Sequence, residues 1–235
     1  MKVIAIIPAR GGSKRIPRKN LKNFLGVPIL TRIIEMVINS QLFDEVMVST
    51  DDFEIKRLAI KAGAKVPFMR SNENASDYAS TYDVLEEVLL KYHENEEVFD
   101  LVFCIYPTAV LMSKERLNHA KKILQENSQT SGVMPICKFS YPIHRSLKVE
   151  GSYIRMNWPE HELTRSQDLP DAFYDAGQFY FFRRDMLLEQ RKTFLQNMSY
   201  ILLPENEVQD IDNSSDWEMA ELKWKCKAEH KEITL

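Results

Sequence analysis

The sequence predicts an α/β protein with a Rossmann-like, mostly parallel mixed sheet covered by helices on both faces. Three features carry that expectation. Short runs of unbroken apolar residues recur along the chain, among them VIAII and LVFCI, as strands buried on both faces require. Segments with helical spacing alternate with them. The loops after these runs gather glycine, hydroxyl groups and charge, and such sheets bind ligands beyond the C-terminal ends of their strands.

The elements follow in order. Residues 3–7 form a buried strand closed by Pro8, and after a long loop residues 28–40 have helical spacing. Residues 44–49 (DEVMVS) are a second strand, and 52–62 a short helix stopped by Gly63. Residues 65–69 read as a third strand. Residues 80–92 form an amphipathic helix with Val84, Leu85, Val88 and Leu89 on one face. A fourth strand (100–105), a helix (114–125) and a strand (132–137) follow. Residues 139–176 break the rhythm with three prolines, a hairpin at Glu150–Gly151 and several aromatics, and read as an excursion. Alternation resumes with GQFYFF (177–182), a strand at 199–203 and a helix over 216–227, where Trp217, Met219 and Trp224 are expected to pack into the core.

The length of 235 residues suits one large domain with a smaller excursion. With 44% hydrophobic and 28% charged residues, the composition is that of a globular enzyme rather than a disordered chain. No apolar run approaches the roughly 20 residues of a membrane span. Residues 3–7 are shorter than the about 7–15 apolar residues of a signal-peptide core. A cytoplasmic protein is expected. Cys104, Cys137 and Cys226 are odd in number and have neither metal nor redox spacing, which fits reduced thiols.

Net charge is −3, but residues 1–34 hold eight Lys and Arg and no acid, leaving 23 basic against 34 acidic residues in the remainder. A local positive field calls for a local anion. Its centre is the loop after the first strand, where Gly11 and Gly12 sit among Arg10, Lys14, Arg15, Arg18 and Lys19. Backbone N–H groups and mobile cations together suit a polyphosphate. Neither the P-loop nor the dinucleotide fingerprint is present. A solvated basic loop and a nucleic-acid patch are the alternatives. The acidic remainder and the lack of a second basic stretch with aromatics argue against nucleic acid.

The stretch PARGGSKRIPRKNL resembles the N-terminal signature of the CMP-sugar synthetases, cytidylyltransferases that activate nine-carbon acidic sugars and Kdo. VSTDD (48–52), FMRSNENASDYASTYDVL (68–85), YPTA (106–109) and VQDIDNSSDW (208–217) continue the resemblance over nearly the whole chain. LTRSQDLPDAFYDAGQFYFF (163–182), with VQDID, is most similar to the pseudaminic acid members.

The resemblance implies a nucleotide-diphospho-sugar transferase fold, made of 1–138 with 177–235, and a dimerisation and sugar-site excursion over 139–176. It implies attack of a sugar's anomeric hydroxyl on the α-phosphate of CTP, with Mg²⁺ as cofactor and a homodimer as the working form. Arg10, Gly11, Gly12, Ser13 and Lys14 are the expected triphosphate residues, with Asn20 nearby, Ala9 also expected at the nucleotide, and Arg15 and Arg18 as rim charges. Arg70, Ser80, Tyr106, Pro107 and Thr108 are expected at the base; many relatives have Gln where Tyr106 stands, and Ser80 also fits a helix N-cap. Asp210 and Asp212 flank Ile211 at i and i+2, which puts both carboxylates on one face of an extended segment, as a Mg²⁺ site needs. Asp51 and Asp52 are lesser candidates. His144, Arg165, Phe173, Gln178 and Tyr180 are expected at the sugar, Arg165 first because its planar fork suits a carboxylate. Arg10, Lys14, Asp210 and Asp212 are the expected catalytic set. No general base stands out.

Overall fold

The structure is a computed structural model describing residues 1–233. Strand β1 (Val3–Pro8) is followed by the basic loop and a two-residue-by-two-residue hairpin, β2 (Asn23–Phe24) and β3 (Val27–Pro28). Then come α1 (Ile29–Ser40), β4 (Glu45–Ser49), α2 (Phe53–Lys61), α3 (Thr81–Glu94), β5 (Leu101–Ile105), α4 (Lys114–Glu126) and β6 (Gly132–Lys138). The excursion carries the hairpin β7 (Leu147–Glu150) and β8 (Tyr153–Met156). The chain rejoins the sheet at β9 (Phe173–Asp175) and closes with β10 (Phe179–Arg183), α5 (Arg184–Gln190), β11 (Met198–Leu203) and α6 (Ser214–Ile233).

The sheet runs in the order β11-β6-β10-β5-β1-β4. β4, β1, β5, β6 and β11 point the same way; β10 is reversed between β5 and β6. Strands β1, β5 and β10 are central, so both faces are covered, and this is why their sequences are continuously apolar rather than alternating. Alternate residues of β1 enter different layers: Val3, Ala5 and Ile7 pack with α1, α2, α4 and α6, and Ile4 and Ile6 with α3 and α5.

Two expectations are corrected. Residues 65–69 are not a strand. Lys65 makes one isolated bridge to Met47, with its N–H donating to Val46 O and its carbonyl accepting from Val48 N, both at 2.9 Å. The next rung would need an N–H from Pro67, which has none, so the ladder stops. Met219 is not in the core. Trp217 and Ala220 are buried, but Met219 falls on the outer side of α6 at 45% exposure. The helix packs through Trp217 and Trp224, which meet Phe24 of β2 edge-on at 5.7 and 5.8 Å.

The return from the excursion shapes the site. β9 and β10 lie in succession along one edge of β6, both antiparallel to it, with a break at 176–178 where Gly177 has φ +61°. Pro135 of β6 sits opposite this break, accepting from Ala176 N at 3.0 Å. The break points the main chain of Gln178 at the end of β5, and its carbonyl accepts from Tyr106 N at 2.9 Å.

Candidate active site

The C-terminal ends of β1, β4, β5 and β11 bring the basic loop, the STDD turn, YPTA and the QDID segment to one end of the sheet. Between the basic loop and Tyr106, Pro107 and Thr108 lies a cavity of about 400 Å³. A hollow of about 480 Å³ at the opposite end of the sheet, beside Asp100 and Arg184, contains none of the expected residues.

The basic loop is built before it binds anything. Ile16 plugs it into the core, Ala9 N donates to Ser49 O at 2.9 Å, and the buried Asn20 amide donates to Arg10 O at 3.0 Å. Asn20 is therefore a staple of the loop. Gly11 N donates to Asp51 Oδ1 at 2.9 Å. Arg18 adopts a left-handed conformation and reaches Asp52 and Glu54, each at 2.5 Å. Asp52 also caps α2, accepting from Glu54 N and Ile55 N at 2.8 and 3.0 Å. Its carboxyl is held below the usual carboxylate range, mainly by the Arg18 hydrogen bond. Asp51 and Asp52 are thus committed to the loop.

The other cations point at the cavity. Arg10 and Lys14 share Asp77, Arg10 at 2.9 Å. Arg15 meets Asp212 at 2.5 Å. Lys19 Nζ donates to the carbonyl of Ile211 at 2.7 Å, between the two carboxylates of the QDID segment. Burial pulls the Lys19 ammonium below its ordinary range, and Asp212 and Asp210 oppose this. Asp210 is exposed, yet its carboxyl is raised, first by partial loss of hydration and then by the charge of Asp212. Ile211 between them is fully buried, so the pair shares one face as the spacing requires. Two mutually repelling hard oxygen donors fit a divalent cation such as Mg²⁺. Among the described residues no cluster of three or more metal-ligating side chains exists, so such an ion would keep other oxygens from solvent or substrate.

Sequence reasoning missed what carries this segment. Arg116 of α4 grips the Glu207 carboxylate with two nitrogens at 3.0 and 3.2 Å. Lys223 of α6 donates to Glu205 O and Val208 O at 3.0 and 2.7 Å. Asp216 accepts from the main-chain N–H of Asp212 and Asn213. Gln178 is 2% exposed, and its amide donates to Glu207 O while its Oε1 is buried without a partner. Arg116, Glu207 and Lys223 form no motif; Asp216 lies inside the VQDIDNSSDW stretch, and Gln178, expected at the sugar, also supports this segment. Lys19 was in view, at the end of the basic run.

Arg70 is buried at the end of β4, donating from Nε to Ser49 Oγ at 2.9 Å and from NH2 to Ser49 O at 2.5 Å. Burial pulls its guanidinium down to about 10. Tyr106 is bonded through its hydroxyl to Thr81 at 2.6 Å and meets Tyr180 edge-on at 5.7 Å. Burial pushes the phenols of both upward. Tyr180 in turn donates to Asp175. Ser80 forms a full capping box with Asp83 at the start of α3. Gln178 and Tyr180 therefore adjoin the YPTA turn. Phe173 is 45% exposed on β9. His144 packs against Trp158 and His161 inside the excursion, and Arg165 is exposed without a polar side-chain partner among the described residues. Within one chain no described contact joins His144 or Arg165 to the cavity.

The cytidylyltransferase family profile matches residues 4–230. The chain belongs to the cytidylyltransferase family. A Campylobacter jejuni protein named pseudaminic acid cytidylyltransferase is 41% identical over 230 residues, covering 97% of this chain and 99% of its own length. A Legionella pneumophila CMP-N,N'-diacetyllegionaminic acid synthase is 28% identical, covering 94% of this chain and 95% of its own. Among solved structures, a CMP:2-keto-3-deoxy-manno-octonic acid synthetase complexed with CTP superposes with a TM-score of 0.71 at 19% identity, covering 97% of this chain and all of that one. That likeness establishes the shared fold. Among the described residues no helix is long and apolar enough to cross a membrane.

Proposed function

We propose that this cytidylyltransferase couples CTP to pseudaminic acid, as a cytoplasmic homodimer, giving CMP-pseudaminic acid and pyrophosphate. The sugar assignment is supported by 40–41% identity to two pseudaminic acid cytidylyltransferases over nearly the full length of both chains. The observation that carries the chemistry is a cavity lined by Arg10, Lys14, Arg15 and Lys19, of which Lys19 and Arg15 hold the segment bearing Asp210 and Asp212.

In this reading the anomeric hydroxyl of the sugar gives its proton to solvent, its oxygen forms a bond to the α-phosphorus, and the bond from that phosphorus to the bridging oxygen of pyrophosphate breaks. Arg10 and Lys14 neutralise the transferring and leaving groups, with Gly11, Gly12 and Ser13 supplying loop N–H groups. Lys19 holds the QDID main chain and adds positive charge beside it. Asp210 and Asp212 would hold Mg²⁺, which when bound would supply charge neutralisation on phosphate oxygens and lower the pKa of a nearby hydroxyl. Arg70 and the Tyr106–Thr108 turn read the base, with Ser80 fixing the start of the helix beside it. Gln178 and Tyr180 form the near wall of the sugar pocket, and Phe173, His144 and Arg165 the far part.

The dimer is supported by the excursion. Val149, Tyr153 and Ile154 are 66–77% exposed on a two-stranded hairpin that is open on both faces, and such a hairpin is marginal alone. A partner over it would complete the sugar pocket. Val149→Asp with Ile154→Asp should give a monomer by light scattering; an undiminished dimer refutes this.

The function is tested by pyrophosphate release from purified protein with CTP and Mg²⁺, offering pseudaminic, legionaminic, N-acetylneuraminic acid and Kdo separately. Fastest release with pseudaminic acid is expected. Faster release with another acid reassigns the sugar, and none with any acid despite CTP binding turns the reading to a non-catalytic nucleotide binder.

A further inference from the structure

We propose that Asp77 is a built-in competitor for the triphosphate, occupying Arg10 and Lys14 in the free protein so that CTP must displace it. The inference rests on the reading that the triphosphate binds at those two cations.

Asp77 stands near the tip of the segment between Arg70 and α3. Its Oδ1 accepts from Arg10 at 2.9 Å and its Oδ2 from Lys14, while Arg10 also donates to Ser76 O at 3.1 Å. One carboxylate thus bridges two cations with one oxygen each, as two oxygens of a phosphate would. Lys14, then Arg10, holds this carboxyl below the usual carboxylate range, so it is a permanent anion at neutral pH.

The two ends of the segment are anchored elsewhere. Ser71 donates from N and Oγ to Glu87 at 2.9 and 3.1 Å, and Asn74 donates to Glu87 at 2.7 Å. Ser80 begins the capping box of α3. Between these anchors, among the described residues, the hydrogen bonds of residues 77–79 to the rest of the chain all run through Asp77. Tyr78 beside it is 97% exposed. The tip is therefore held down only by groups that a triphosphate would claim.

Exposed ion pairs are individually weak, so the competitor reduces CTP affinity modestly, by about two- to tenfold. A ligand with fewer other contacts feels it as much. Pyrophosphate left after transfer has no base or ribose to hold it, and Asp77 returning to Arg10 and Lys14 drives it out. The same carboxylate neutralises the basic loop between turnovers.

Binding of CTP and of inorganic pyrophosphate to the full chain, measured by titration calorimetry, tests this with Asp77→Asn and Lys14→Gln. Asp77→Asn should tighten both ligands about two- to tenfold, and Lys14→Gln should weaken both. Unchanged or weaker binding in Asp77→Asn, with Lys14→Gln still impaired, overturns the competitor while the phosphate site stands. Unchanged binding in Lys14→Gln removes the site reading itself. In the unaltered protein, amide hydrogen exchange at residues 76–79 should quicken when pyrophosphate is added; unchanged or slower exchange also overturns the proposal.

Discussion

Adding one methyl group at Gly11 should destabilise the protein, and the same group at Gly12 should not. A Cβ on Gly11 would lie 2.8 Å from Asp52 Oδ2 and 3.0 Å from Asp52 Cβ, closer than real atoms approach. Asp52 cannot yield freely. Its Oδ1 caps α2 through two main-chain N–H groups, and Arg18 holds its Oδ2 at 2.5 Å. Losing an N-cap costs about 1 kcal/mol, within a range of roughly 0.5–2. The half-exposed Arg18 pair adds at most about 1 kcal/mol. The expected loss is about 1–2 kcal/mol. At about 2–4 °C per kcal/mol for a chain of this size, the Tm of Gly11→Ala falls by roughly 2–8 °C. At Gly12 a Cβ meets nothing within 4 Å and the backbone is not left-handed. There alanine only restricts the unfolded chain, which adds up to about 1 kcal/mol of stability. Scanning calorimetry without nucleotide reads both variants. Asp52→Ser removes Oδ2 and keeps a capping hydroxyl, so it should partly rescue Gly11→Ala. Equal stability of the two alanine variants, or strict additivity with Asp52→Ser, would refute the packing argument.

Asp210→Asn should abolish turnover yet slightly raise Tm at neutral and alkaline pH. The Asp210 carboxyl is raised by lost hydration and by Asp212, so its ionised form opposes folding above that range. The gain should vanish as pH falls through the raised range, where the native carboxyl is protonated; a gain that grows in acid contradicts this. Arg70→Met should leave Tm within a few degrees of the original or above it, because a buried guanidinium pulled down to about 10 opposes folding. The same variant should lose preference for CTP over UTP, and retained preference removes Arg70 from the base site. Lys19→Met should lower kcat about ten- to a hundredfold, the size of one charge-assisted hydrogen bond; an unchanged kcat would leave Lys19 a purely structural residue.

The parts of the fold that were legible are those that one stretch of sequence decides alone. Strands β1, β5 and β10 are buried on both faces, so each announces itself as an apolar run. Residues 65–69 look similar, but a single proline at the second rung defeats them. Strand β9 is three residues long and exists because β6 offers it an edge, which no local pattern records. The site divides in the same way. The glycine pair, the cation run and Asp210-Ile211-Asp212 are contiguous, so each could be singled out as a candidate from one stretch of sequence. The grips of Arg116 on Glu207 and of Arg15 on Asp212 span 91 and 197 residues and required the sheet order first. Met219 was misplaced for a smaller reason: a helix packing through positions 217, 220 and 224 turns 219 outward.

Charge counted along the chain pictures a bare basic loop awaiting an anion, and the folded arrangement changes that picture. Each cation of the loop already meets acidic groups from later in the chain. Arg10 and Lys14 share Asp77, Arg15 holds Asp212, Arg18 holds Asp52 and Glu54, and Lys19 lies in the field of Asp210 and Asp212. These pairs are not equivalent. Asp52 also caps a helix, so it cannot leave Arg18 without loss of structure, and Arg18 is a fastener of the loop. Asp77 has no second duty, and the carboxylate of Asp212 has no hydrogen-bond partner other than Arg15 among the described residues. On the proposed reading, a nucleotide enters by exchange, trading internal carboxylates for phosphates on cations already held in place. The affinity of such a site depends on which acids can be released, and a count of its positive charges does not reveal that.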